Sequence, residues 1–177
     1  QGMATRTSYN AFGDVVRVEE QVAASEWKVT GYSYDRRGLA VSSTEDVGGL
    51  ERATTAQYDA FGRVITSTDA LGHITQFGYD RNGRQVEVAR TVSGRVERER
   101  TQYDAYGRTL STIDALGRVT TFAYNDAARS MTLTTPQGLQ LVTVYNAHGE
   151  QVEIRRPDGY VQRFTYDQDG RLTSDGL

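Results

Sequence analysis

The sequence predicts an all-β fold, a tandem array of β-hairpins joined into one antiparallel ribbon. Three observations predict it. A phrase of tyrosine, then Asp or Asn, then in seven of the copies glycine three residues further on, starts eight times in 177 residues. The tyrosines, Tyr9, Tyr34, Tyr58, Tyr79, Tyr103, Tyr124, Tyr145 and Tyr166, are spaced 25, 24, 21, 24, 21, 21 and 21 residues apart, a hairpin-sized period. No segment sustains a 3.6-residue apolar period, so essentially no helix is expected.

Each unit has turn chemistry at both ends. At the tyrosine end, Asp or Asn accepts backbone N–H bonds from residues ahead of it, and the glycine takes the positive φ that closes the hairpin with a bulge. The unit at Tyr9 opens on Asn10 and Gly13 and is the most irregular, with no clear second turn glycine and the only tryptophan, Trp27. The next opens on Tyr34, Asp35 and Gly38, with Gly49 at its middle. The third runs from Tyr58, Asp59, Gly62 and Arg63 through "RVITST", the mid-unit turn "DALG" (69–72) and "HITQFGY". The fourth opens on Tyr79, Asp80, Gly83 and Arg84, with Gly94 in the middle and the alternating-charge strand "RVERER" (95–100), expected on a solvated face. The fifth opens on Tyr103, Asp104, Gly107 and Arg108 and turns at "DALG" (114–117). The sixth, at Tyr124, places Ala128 where glycine is expected and Arg129 after it, then turns at "TPQG" (135–138). The seventh has Tyr145, Asn146 and Gly149 and turns at "RPDG" (156–159); the eighth, truncated, has Tyr166, Asp167, Gly170 and Arg171.

In 21-residue units the second turn glycine lies 14 residues after the tyrosine, and in 24-residue units 15, with nine more to the next tyrosine. The second strand is therefore expected to lengthen by two residues, and the remaining residue to sit in the turn or as a bulge. The position seven after the tyrosine is apolar in seven of eight copies (Val16, Val41, Ile65, Val86, Leu110, Met131, Val152, with Thr173 the exception). Two before the tyrosine, Tyr32, Phe77, Phe122 and Phe164 recur, so one face carries apolar ladders and the other is wet. Sixteen strands at ~4.8 Å make a ribbon too long to stay flat; it must coil, split or close.

Composition agrees: 18 glycines and 11 tyrosines suit turns and strands, while Leu, Ile, Val and Phe number only 36, thin for a thick core. A net charge of −3, with 20 basic and 23 acidic residues interleaved, offers no nucleic-acid footprint. The absence of cysteine excludes disulfides, thiolate metal sites and a cysteine nucleophile. No apolar run approaches the ~20 residues of a membrane span, and no signal peptide is visible. Gln1-Gly2-Met3 reads as an expression-tag remnant, leaving 4–177 as the repeats.

The repeated residues invite a chemical reading and resist it. Asn replaces Asp at 10, 125 and 146, and Asn accepts the same backbone bonds but is no general base, so these are turn parts rather than catalytic carboxylates. The tyrosines are expected to pack as a ladder with hydroxyls reaching the next turn, and the arginines to pair rung to rung with the turn aspartates. His73 and His148 have no partner at ligand spacing, so neither is a metal or catalytic candidate, and Trp27 is a packing residue. No catalytic, cofactor or metal site is expected.

Tyr-Asp-x-x-Gly-Arg recurring at about 21 residues, with Asp-Ala-x-Gly midway, resembles the YD repeat of Rhs proteins, Tc-toxin shell components and teneurins. The resemblance implies a coiled antiparallel ribbon forming an arc of a larger hollow shell. It implies a non-enzymatic wall segment whose partners are flanking repeats and an enclosed C-terminal toxin, secreted or delivered by a bacterial secretion system. The rival implication is an extracellular module binding glycans or a receptor. The self-cleaving Asp/Pro/Gly-rich segment of bacterial members has no counterpart here, since Pro136 and Pro157 both stand in mid-unit turns. Cut from its neighbours, the segment is expected to self-associate through exposed strand edges.

Overall fold

The computed structural model describes residues 4–47 and 49–176; the expected tag remnant, residues 1–3, lies outside them. Every regular element among the described residues is a β-strand. In chain order they are β1 (Thr5–Tyr9), β2 (Val15–Ala23), β3 (Glu26–Tyr34), β4 (Ala40–Val47), β5 (Leu50–Tyr58), β6 (Val64–Thr68), β7 (Ile74–Tyr79) and β8 (Gln85–Val92). They continue with β9 (Arg95–Tyr103), β10 (Thr109–Ile113), β11 (Val119–Asn125), β12 (Ser130–Thr134), β13 (Gln140–Tyr145), β14 (Gln151–Arg155), β15 (Val161–Tyr166) and β16 (Leu172–Gly176). Sheet order equals chain order and the pairing is antiparallel, as a run of hairpins must be. Contacts divide the chain into two units, Gln1–Glu97 and Arg98–Leu177.

In the first unit the tyrosine turns are three-residue hairpin loops with a bulge. At Asp59 the Gly62 N–H donates to the Asp59 carbonyl (3.1 Å), the Asp59 N–H donates to the Arg63 carbonyl (2.9 Å), and Gly62 has φ +80°. The register slips between Gln57 and Tyr58, so Tyr58 pairs with Val64, the signature of a glycine bulge. The same slip precedes Tyr9, Tyr34 and Tyr79.

The long hairpins do not lengthen as expected. A 21-residue unit has strands of five and six residues (β6, β7), whereas the units with Gly49 and Gly94 have strands of eight and nine (β4, β5 and β8, β9). Both strands grow by three, because the five-residue turn gives way to a two-residue one. At Ser93-Gly94 both turn residues have positive φ, +49° and +78°, the type I′ geometry that matches strand twist. The first hairpin likewise pairs β2 with β3 around a two-residue turn, and its extra residue is a bulge between Gln21 and Ala23.

In the second unit the same bulge precedes Tyr145 and Tyr166, and Thr109 pairs with Tyr103 across a slip. The turn at Ala128 departs from the pattern. Asn125 pairs directly with Ser130 without a slip, and the positive φ (+45°) falls on Arg129 rather than on Ala128. A methyl group at the usual glycine position resists the left-handed region, so the loop takes one more residue and Arg129 is a turn residue, not the first residue after the turn.

Among the described residues only Val88, Ala89 and Thr143 are buried. The apolar columns are half-buried on one face: Tyr32, Phe77, Phe122 and Phe164 with the tyrosines two residues on, while Ser33, Gln57, Gln102, Ala123 and Thr165 between or beside them are exposed. Leu110 and Thr173 depart from their column and are exposed. This is a single-layer sheet whose order comes from backbone pairing and turns more than from a core.

Candidate functional site

The repeated residues converge at the tyrosine turns, and their polar atoms are spent on the turn itself. Asp59 Oδ1 accepts the N–H groups of Phe61 (2.9 Å) and Arg63 (3.0 Å), and Oδ2 accepts Arg63 Nε (2.7 Å). Asp80 does the same with Asn82 and Arg84, Asp104 with Tyr106 and Arg108, and Asp114 with Leu116 and Arg118. At Asp59, Asp80 and Asp104 partial desolvation works to raise the carboxyl pKa, and the arginine and backbone donors together outweigh it, leaving each below the ordinary value. Asp114 is lowered chiefly by the Arg118 N–H. A carboxylate with both oxygens engaged and its basicity reduced is a poor general base.

The arginines therefore pair within their own turn, not chiefly from rung to rung as expected. Their contact with the next rung is with its ring: the Arg63 guanidinium lies 4.5 Å from the Tyr79 ring centroid and that of Arg108 4.3 Å from Tyr124. Contacts that reach the next turn include Arg108 Nη1 to Asp126 Oδ1 (2.6 Å) and Arg37 Nη1 to the Asp59 carbonyl. Arg37 stands in for the missing arginine at position 39, bonding Asp35 Oδ2 through Nε (2.9 Å). Asp167 accepts the Asp169 and Arg171 N–H groups, while Arg171 turns to Asp169 (3.1 Å).

The tyrosine hydroxyls reach backward, not to the next turn. Tyr34 donates to the Val15 carbonyl (2.6 Å), Tyr58 to Ala40 (2.7 Å), Tyr79 to Val64 (2.8 Å), Tyr124 to Thr109 (2.8 Å) and Tyr166 to Gln151 (2.8 Å). The acceptor is always the residue six after the previous tyrosine, the first residue of the strand that follows its turn. Tyr145, which follows the bulge-free turn at Arg129, makes no such bond. Each hydroxyl thus latches one hairpin onto the preceding one.

Sequence reasoning missed why Asn sometimes replaces Asp. At Asn10 and Asn146 the residue four further on is acidic. Asn10 Nδ2 donates to Asp14 Oδ2 (2.9 Å) and Asn146 Nδ2 to Glu150 Oε2 (2.6 Å), while each Oδ1 keeps its two backbone N–H bonds. The amide supplies a donor where the partner is an anion, and the carboxylate an acceptor where it is arginine. The signal was legible as a pairing of types four residues apart. His73 fits it too, with Nδ1 2.8 Å from Asp69 Oδ2 in the arginine's place, and that bond is the main cause lowering the Asp69 carboxyl. His148 is an exposed turn residue, Trp27 is half-buried under the Arg6 guanidinium (4.6 Å), and residues 95–100 are exposed.

No group of three or more His, Cys, Asp or Glu suited to a metal ion occurs among the described residues, and no helix among them is long and apolar enough to cross a membrane. Comparison with known proteins points the same way as the geometry. The family model RHS Repeat matches residues 58–96, 103–140 and 145–175. No curated protein matches. The fold is similar to the crystal structure of TcdB2-TccC3-Cdc42 (TM-score 0.67, 18% identity, 98% of this chain and 12% of that one). It is similar to TcdB2-TccC3 without hypervariable C-terminal region (TM-score 0.66, 17% identity, 98% and 12%) and to the Photorhabdus luminescens Tc holotoxin pore (TM-score 0.65, 18% identity, 98% and 12%). The chain spans about an eighth of the length of these relatives, and at such identity the likeness shows the fold.

Proposed function

Because the chain belongs to the RHS Repeat family, we propose that it is a non-catalytic arc of β-wall that, in a longer parent polypeptide, encloses a C-terminal toxin until delivery. The observation that carries this reading is the use of the repeated motif. Sets such as Tyr58-Asp59-Gly62-Arg63 close their own turn, and hydroxyls such as that of Tyr79 latch onto the preceding hairpin, so these polar atoms are spent on structure. A wall needs such uniformity, because each hairpin must bind its neighbours in the same way. The solved chains of like fold include TcdB2-TccC3 without hypervariable C-terminal region and a Tc holotoxin pore, which fits a shell with a variable passenger. Export or delivery by a secretion system follows from the same reading. The rival, a glycan-binding module, would use free tyrosine faces, and the Tyr79 and Tyr124 rings are already covered by arginine.

The strands at the two ends of the sheet order, β1 and β16, each have a neighbour on one side only. We expect flanking repeats to cover them in the parent and self-association through them in the isolated chain. The deciding experiment is limited proteolysis of the parent polypeptide. The segment after the repeats should resist protease with the wall intact and be cleaved when 58–145 are deleted. Equal cleavage in both forms would exclude enclosure.

A further inference from the structure

Three tyrosine turns present an exposed aromatic at their tip: Phe12 (91% exposed), Phe61 (84%) and Tyr106 (83%). At two of them, one guanidinium stands against both that ring and the tyrosine of the following hairpin. Arg63 is 5.1 Å from the Phe61 centroid and 4.5 Å from that of Tyr79; Arg108 is 5.2 Å from Tyr106 and 4.3 Å from Tyr124. At the third, Phe12 and Tyr34 hold the equivalent positions, but the arginine's place is taken by Asp14. Asp14 is too short to reach between the rings and is drawn back by Asn10, whose Nδ2 donates to Asp14 Oδ2 (2.9 Å). What remains is a cavity of about 650 Å³ lined by Phe12, Asp14, Tyr34 and Arg36, among others.

We infer that this cavity is a guanidinium slot, filled by the side chain of an arginine presented by another polypeptide. The two occupied turns are the template. In each, one guanidinium lies about 5 Å or less from two ring centroids while its Nε donates to a carboxylate. The empty turn keeps both rings and offers Asp14 Oδ1, which has no hydrogen-bond partner. The neighbouring cation Arg37 is neutralised by Asp35 (2.7 Å). Arg36 makes no hydrogen bond, ion pair or ring contact and is the one cation at the wall with the reach to compete. The seventh turn carries the corresponding cavity, about 430 Å³, without the second phenyl or phenol ring. It has Asn146 and Glu150, but its tip is His148, and the Glu150 carboxylate leans over the next turn, 2.9 Å from where a Cβ on Gly170 would stand.

The test is a titration of the full ¹⁵N-labelled chain with methylguanidinium, against urea and methylammonium at constant ionic strength. Saturable shifts confined to 10–16 and 32–38, absent with urea and weaker with methylammonium, are expected. Phe12→Ala, which removes a solvent-exposed ring, should weaken binding about fivefold or more. Asn10→Asp with Asp14→Arg rebuilds the Asp59–Arg63 arrangement, fills the slot from within and should abolish binding. A capped Gly-Arg-Gly peptide should compete for the same resonances, and its citrulline analogue should not. Shifts as large with urea, binding that survives the Asn10→Asp/Asp14→Arg change, or failure of the arginine peptide would overturn the inference. So would binding that appears only in Arg36→Ala, which would show the slot to be filled by the chain's own Arg36.

Discussion

Exchanging Asn146 for Asp tests whether the partner four residues on dictates the turn residue. In the native turn Asn146 Nδ2 donates to Glu150 Oε2 at 2.6 Å, and Oδ1 holds the His148 and Glu150 N–H groups at 2.9 and 3.0 Å. Asn146→Asp keeps the acceptor and loses the donor. The lost bond is to a charged group, about 1.5 kcal/mol, and two carboxylates left near 4 Å repel by about 1 kcal/mol in water-like screening. The turn should weaken by roughly 2.5 kcal/mol, which is about seventyfold in the opening equilibrium. Amide hydrogen exchange reads this locally, at Gly149, whose N–H donates to the Asn146 carbonyl (3.2 Å), and at Glu150. Adding Glu150→Arg recreates the Asp59–Arg63 pair and should return both amides to within about 0.5 kcal/mol of native protection. Unchanged exchange in Asn146→Asp, or a double variant as labile as the single one, would refute the pairing rule.

The other turns and latches give sharper local tests. Gly117 has φ +76° with open space where a Cβ would stand, so Gly117→Ala isolates backbone strain and should cost about 1–2 kcal/mol by denaturant midpoint, with Gly117→Asn costing less. Arg129→Gly removes the same strain at φ +45° and should stabilise the sixth hairpin, raising protection at Ser130. Tyr79→Phe loses the bond to the Val64 carbonyl and should cost about 1 kcal/mol, whereas Tyr145→Phe, with no such bond, should be neutral. Asp59, Asp80, Asp104 and Asp114 have folded pKa values below the ordinary ~3.9. Their contribution is therefore complete above that value and is lost as pH falls from it through the lower folded values. Acid unfolding should set in below about pH 4, and Asp59→Asn should blunt the pH dependence of exchange at Gly62 and Arg63.

Turn chemistry is local, and it made the hairpins legible. Asp at the turn start and glycine three on specify a type I turn and a bulge within five residues, so no distant contact is needed to read them. The side of each strand was legible for the same reason, since the two-residue period counts outward from the tyrosine; Tyr32, Phe77, Phe122 and Phe164 fall on the half-buried face. Failures came where one glycine fits two geometries. Gly49 and Gly94 suit a five-residue turn as well as a two-residue one, and the added residues were assigned to one strand when both had grown by three. Ala128 stands where glycine is expected, and the sequence does not show that a Cβ there moves the positive φ to Arg129 and removes a bulge, or that the latch at Tyr145 is missing.

The sequence by itself determined the period, the turn types at most tyrosine ends, the apolar face and the family, because each is written in spacings of at most 25 residues. The tertiary structure decided how one hairpin holds the next. Tyr79 reaches back 15 residues to Val64 while Arg63 reaches forward 16 to the Tyr79 ring, and these meet only because antiparallel pairing returns the chain to the same edge. The aromatic pair of Phe12 and Tyr34 belongs to that second class: its residues stand 22 apart, and only the fold places them on one cavity.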